Sequence, residues 1–188
     1  MIIQPPDTVR LSCPAKTESV PEGAAHIMER IWAPWRMEYI RNEKPDGCVF
    51  CLETASGGAA DRERLVLRRD RHTFVMMNRY PYCNGHLLVS PNRHVGGMND
   101  LGPEEMLELF ENTRLCCDVM TRAFAPQGFN IGMNLGKAAG AGVDDHLHIH
   151  VVPRWMGDTN FMTVIADVRV MPENLLATYD RLCHLFAR

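Results

Sequence analysis

The 188-residue sequence has no apolar run near the ~20 residues that a membrane-spanning helix requires. Its N-terminus lacks the charged-then-apolar order of a secretory signal. It has no excess of positive charge: 20 Lys and Arg stand against 23 Asp and Glu, a net charge of −3. That balance argues against a general nucleic-acid coat protein, which is strongly basic. Internal repeats are absent, and so is an even cysteine framework. Seven cysteines are present, two of them adjacent (Cys116, Cys117), and Cys13, Cys83 and Cys183 also lack partner spacing. Such usage fits a reducing cytosol in which thiols stay free or bind metal. The chain is therefore expected in the cytoplasm, with neither nucleic acid nor a membrane among its partners.

What is present is ordinary globular composition, 46% hydrophobic and 23% charged, in a chain long enough to bury a core without disulfides. Residues 1–27, with Pro5, Pro6, Pro14, Pro21 and Gly23, show no helical or strand period and are expected to be a disordered or loosely attached tail. Met28 opens a denser segment, and 28–188 reads as one domain; Met28 is also a candidate start. Pro34 to Arg41 reads as a short helix anchored by Trp32 and Trp35. Five strands are expected, at Leu65–Leu67, Phe74–Met77, His86–Ser90 (ended by Pro91), Phe129–Leu135 and His146–Val152. Ser56 to Ala60 and Gly136 to Gly142 read as loops. The clearest helix is Pro103 to Phe124, with Met106, Leu109, Phe110, Thr113 and Cys117 on one face; Leu175 to Ala187 forms a closing helix. The order implies an α+β fold with a mainly antiparallel sheet.

The chemistry lies in His146-Leu147-His148-Ile149-His150-Val151-Val152. A strand turns alternate side chains to opposite faces, so three histidines share one face and three apolar residues the other. Three neighbouring imidazoles cannot all be left unpaired in a core. The readings are an incidental solvated face, a catalytic metal site, or a nucleophilic imidazole flanked by orienting partners.

This run resembles the signature of the histidine triad (HIT) superfamily of nucleotide hydrolases and transferases. Asn78 followed by Gly85-His86-Leu87-Leu88-Val89 resembles its Fhit-like branch. Trp32-Ala33-Pro34-Trp35-Arg36 and Val152-Pro153-Arg154-Trp155-Met156-Gly157 resemble a bacterial subgroup of diadenosine tetraphosphate phosphorylases and hydrolases. The resemblance implies a HIT-like fold: a five-stranded sheet with one long and one C-terminal helix, in a homodimer. It implies that His148 attacks the α-phosphorus to give a nucleotidyl-histidine. His146 would orient it through its carbonyl, and His150, positioned by His86, would contact phosphate. Asn78 would contact ribose, with Phe74 or Met76 bordering the base. The substrate would be a dinucleoside polyphosphate, a nucleoside phosphoramidate or another adenylylated compound. Many members carry Gln four residues before the first triad histidine; Gly142 stands there. Backbone donors around Gly140, Gly142 and Val143 are expected to replace that amide, with Asn134, Lys137 and Arg154 as further nucleotide or phosphate contacts. A plain flexible turn is the competing reading. Other competing functions are a nucleotide sensor with little turnover and a metal-dependent phosphoesterase using all three histidines.

Cys48-Val49-Phe50-Cys51 is a second constellation, which by itself fits a redox pair, buried thiols or half a zinc site. The resemblance extends to HIT proteins and galactose-1-phosphate uridylyltransferases in which a histidine such as His94 and the first triad histidine complete the site. It implies a structural Zn2+ on Cys48, Cys51, His94 and His146. The arginine run Arg62, Arg64, Arg68, Arg69 and Arg71 reads as a solvated face.

Overall fold

The computed structural model describes residues 47–52, 58–158 and 173–186. The tail at 1–27, the helix expected at Pro34 to Arg41 with its tryptophans, and residue 187 lie outside them. Five strands pair antiparallel: β1 (Val66–Arg69), β2 (Thr73–Met77), β3 (Leu87–Pro91), β4 (Gly128–Gly132) and β5 (Ile149–Arg154). Their order across the sheet is β1-β2-β3-β5-β4. The described residues also form the α-helices α1 (Ala59–Arg64), α2 (Pro103–Phe124) and α3 (Leu175–Phe186). None is long and apolar enough among the described residues to cross a membrane.

Helix α2 starts where the sequence signals it. Pro103 takes the first turn, and the Gly102 N–H donates to the Glu105 carboxylate at 2.8 Å. It ends at Ala125, in the left-handed region at φ 46°, just before Pro126. Its buried line is Leu109, Cys116, Val119, Met120 and Ala123, joined by Asn112 and Thr113. Phe110, expected inward, is 49% exposed. The stripe is rotated because Asn112 is a core residue for a polar reason: its Nδ2 donates to Asp70 (2.9 Å) and to Thr73 Oγ1 (2.8 Å). Glu108 adds to this latch by accepting the backbone N–H groups of His72 and Thr73. The β1–β2 turn is thus tied to the helix, and an apolar count alone cannot see it.

The main core lies between α2, α3 and one sheet face, and contains Val75, Leu87, Val89, Leu147, Ile149, Val151, Leu182 and Phe186. Helix α3 docks through the Tyr179 hydroxyl, which donates to Val66 O at 2.9 Å. Arginines of the expected solvated face join elements. Arg62 forks onto Asp180 of α3, Arg68 pairs Asp70 and Arg69 pairs Asp61. Gly85 precedes β3 at φ 73°, and a Cβ there would run into the Met120 thioether, so only glycine fits the turn that delivers His86.

Two strand expectations are corrected. β4 stops at Gly132, and the chain leaves the sheet before Asn134. The histidine segment enters the ladder only at Ile149. Ahead of it, ladder partners are replaced: Leu147 N–H donates to Val95 O (2.7 Å), Ser90 Oγ donates to Leu147 O (2.7 Å), and His146 O is taken by a side chain. The alternation persists without the ladder. Leu147, Ile149 and Val151 face the main core. The other face carries the histidines and a smaller cluster of Phe50, Phe74 and Leu88, with Met76 and Val143 against it.

Candidate active site

Register places the catalytic candidates. Leu88 pairs with His150 across β3 and β5. His86, two residues before Leu88, is therefore the diagonal neighbour of His150 on the same face. His86 Nε2 and His150 Nδ1 lie 2.9 Å apart.

The proton positions follow from groups that can only donate or only accept. The Tyr82 N–H, a pure donor, lies 3.1 Å from His86 Nδ1, and Asn78 Nδ2 lies 3.3 Å from it. His86 Nδ1 is thus the acceptor, and its proton sits on Nε2, facing His150 Nδ1. His150 in turn carries its proton on Nε2. Among the buried side-chain nitrogens and oxygens of the described residues, that atom is the one left with no hydrogen-bond partner. A buried, unpaired N–H is costly unless a ligand accepts from it.

His148 is set the opposite way. Its Nδ1–H donates to the His146 carbonyl at 2.8 Å, which leaves the Nε2 lone pair free. Its ring is held by Phe50 (centroids 4.6 Å apart, 30° between planes) and by the edge-on ring of His150 (4.9 Å). Burial disfavours the imidazolium throughout. It pushes His86 down to about 3 and His150 down to about 4, each with a smaller repulsive contribution from neighbouring histidines. His148 is also lowered from the ordinary histidine value by burial, against its hydrogen bond to His146 O. The site thus holds neutral imidazoles at physiological pH, one offering a lone pair and one an N–H.

His146 faces away from this chemistry. Its Nε2–H donates to Pro91 O at 3.0 Å, and its Nδ1 lies 3.3 Å from Cys48 Sγ and 3.8 Å from Cys51 Sγ. His94 Nδ1 lies 3.3 Å from Cys51 Sγ. One ligand atom from each of Cys48, Cys51, His94 and His146 falls within 4.8 Å of the others. Tetrahedral zinc with sulfur and nitrogen ligands has edges of about 3.3–3.8 Å, so two thiols and two imidazoles fit the ion. The Pro91 carbonyl fixes the His146 tautomer that presents Nδ1, and Asp145 stands 3.7 Å from His94 Nε2. Gly96 lets the His94 segment lie against Asp144 and Asp145, where an added Cβ would be 3.2 Å from the Asp144 carbonyl.

The remaining candidates are more dispersed. Asn78 is turned into its own loop, with Oδ1 accepting from Tyr80 N–H at 2.9 Å. Asn134 is half-buried, two residues past the end of β4. Val143 rests against the Phe50 cluster, while Gly140 and Gly142 lie on the exposed loop. Lys137 is exposed and 3.8 Å from Asp144. Arg154 is not brought to the triad: its guanidinium forks onto Asp158 and reaches Asn130. Sequence reasoning missed Phe50, Tyr82 and the Pro91 carbonyl. Only Phe50 carried a signal, its place between two cysteines.

Comparison with known proteins agrees with this geometry. The HIT domain family model matches residues 60–156. The AP-4-A phosphorylase of Mycobacterium tuberculosis (strain H37Rv) is 38% identical over 172 residues, 88% of each chain. The asymmetrical bis(5'-nucleosyl)-tetraphosphatase of Schizosaccharomyces pombe is 36% identical over 93 residues, half of each chain. Among solved structures, a Zn-bound histidine triad family protein from Mycobacterium smegmatis superposes with a TM-score of 0.57 at 24% identity, covering 75% of this chain and 94% of that one. A family model spanning half the chain, a relative matching nearly all of it, and a shared sheet and helix arrangement lead to one conclusion: the chain belongs to the HIT family.

Proposed function

We propose that the protein is an enzyme that cleaves dinucleoside polyphosphates of the diadenosine tetraphosphate type at the α-phosphate, through a nucleotidyl-His148 intermediate. The observation that carries this reading is the opposed pair of tautomers. His148 presents a lone pair on Nε2, and beside it His150 presents a buried, unpartnered N–H. In the first displacement the Nε2–P bond forms and the P–O bond to the polyphosphate breaks. The His150 N–H stabilises charge on a phosphate oxygen. An acceptor oxygen then displaces His148 in the second step and takes the nucleotidyl group. Donors fixed before substrate arrives need no reorganisation during reaction. Phe74, Met76 and Val143 are the apolar residues we assign to the base side, with Asn78 at the ribose and Asn134, Lys137, Gly140 and Gly142 at the phosphates. Arg154 is left to its pair with Asp158.

The names of the mycobacterial and yeast relatives support this substrate class, and the mycobacterial one supports inorganic phosphate as acceptor. Incubation with diadenosine tetraphosphate and phosphate is expected to yield ADP and ATP. AMP and ATP without phosphate would overturn the acceptor, and no product would overturn the activity in favour of a sensor.

We assign a structural zinc to Cys48, Cys51, His94 and His146. Bound there, it would close the site with four protein ligands and join three separate segments. Only one triad histidine belongs to that donor set, which favours this reading over a metal-dependent phosphoesterase. We also place the protein in a reducing cytoplasm, on its free cysteines. A homodimer is supported by edge strand β4 and by exposed Ile131, Leu107 and Phe110.

The pH dependence follows from the sign of the shift. Protonation of His148 Nε2 removes the nucleophile, and burial lowers that group's pKa. The acid limb of kcat/KM, which reports the free enzyme, is therefore expected below the ordinary histidine pKa of about 6.5. A profile half-lost at or above that pH would contradict the neutral, buried site.

A further inference from the structure

The aromatic residue between the two cysteines links the metal knuckle to the nucleophile. His148 has one directional restraint, the bond from Nδ1–H to His146 O. A single hydrogen bond leaves the ring able to rock, because the final torsion of histidine is broad. The remaining restraint comes from rings. Phe50 lies at 4.6 Å and 30° to His148, and at 5.5 Å to His146. It is 5% exposed and is packed with Phe74 and Leu88. Its backbone sits inside the turn closed by Cys51 N–H to Cys48 O (3.1 Å), and Arg64 holds the Cys51 carbonyl. Both flanking thiols point at His146 or His94.

We infer that Phe50 is a positioning residue: the metal-held Cys48–Cys51 turn presses its ring against His148 and fixes the plane in which Nε2 points. Metal loading thereby sets the order of the nucleophile without touching substrate. This rests on the reading of His148 as nucleophile.

The test uses the zinc-loaded full chain, uniformly labelled with 15N. Imidazole spectra are recorded for wild type and for Phe50→Leu, which keeps apolar bulk but has no flat face. Wild type should give one sharp set of His148 ring signals. Those signals should broaden when a chelator removes the metal, at a temperature where the amide signals of Glu104–Phe124 persist. In Phe50→Leu they should be broad with metal present, and chelation should add nothing. Metal content should stay near one per chain, and kcat should fall about two- to tenfold, the factor one aromatic pair is worth. Sharp His148 signals in chelated wild type would overturn the coupling with no variant needed. Equal broadening by chelation in both proteins would overturn the role of Phe50, as would a rise in KM with kcat unchanged. The spectra involve no turnover, so a failure of the nucleophile reading shows separately, as activity surviving in His148→Ala.

Discussion

Replacing His148 with alanine is expected to lower kcat by about 10^4-fold or more while nucleotide affinity stays within a few fold. The size follows from the lack of a substitute. His146 has both ring nitrogens engaged, one on Pro91 O and one facing the thiols. His150 accepts at Nδ1 from His86, so its remaining nitrogen carries a proton and has no lone pair to offer. Water would have to attack the α-phosphorus directly, with only the His150 N–H and the loop to help. Affinity should survive because the apolar cluster and the phosphate donors are untouched. Steady-state kinetics with equilibrium binding of a nucleotide separates the two quantities. A loss of kcat below tenfold would mean that another group forms the bond.

Removal of the proposed zinc is the second large effect expected. Cys48 and His146 are 98 residues apart in sequence, yet their donor atoms meet. An ion there would close long loops and bind only the folded chain. At a free concentration a thousandfold above its dissociation constant it contributes about 4 kcal/mol. For a chain of this size that is a melting temperature lower by about 10 °C, at roughly 2–4 °C per kcal/mol. Chelation, or Cys48→Ser, should produce that fall, and added Zn2+ but not Mg2+ should reverse it in the wild type. An unchanged melting temperature with metal content well under one per chain would remove the metal from the site.

The parts of this structure legible in sequence are those written in local periodicity. The alternation from His146 to His150 identified the two faces correctly, and Pro103 marked the start of the long helix. The missing parts depend on partners distant in the chain. β5 begins at Ile149 because Ser90 and Val95 satisfy the Leu147 backbone, which no pattern in residues 146–152 encodes. Phe110 faces outward because buried Asn112 answers to Asp70 and Thr73. Arg154 resembled a phosphate ligand by position, but Asp158, four residues on, claims its guanidinium. The His148 tautomer was implied by the family resemblance, through the His146 carbonyl; those of His146 and His86 answer to Pro91 O and the Tyr82 N–H, and that of His150 follows from His86, none of which the histidine run encodes.

The most direct measurement is a millisecond acid quench of wild-type protein mixed with diadenosine tetraphosphate, followed by intact mass and peptide mapping. A single adenylyl group on His148, formed at least as fast as turnover and absent from His148→Ala, is the expected result. Turnover with no adduct at any time, or an adduct on a different residue, would contradict the double displacement at His148.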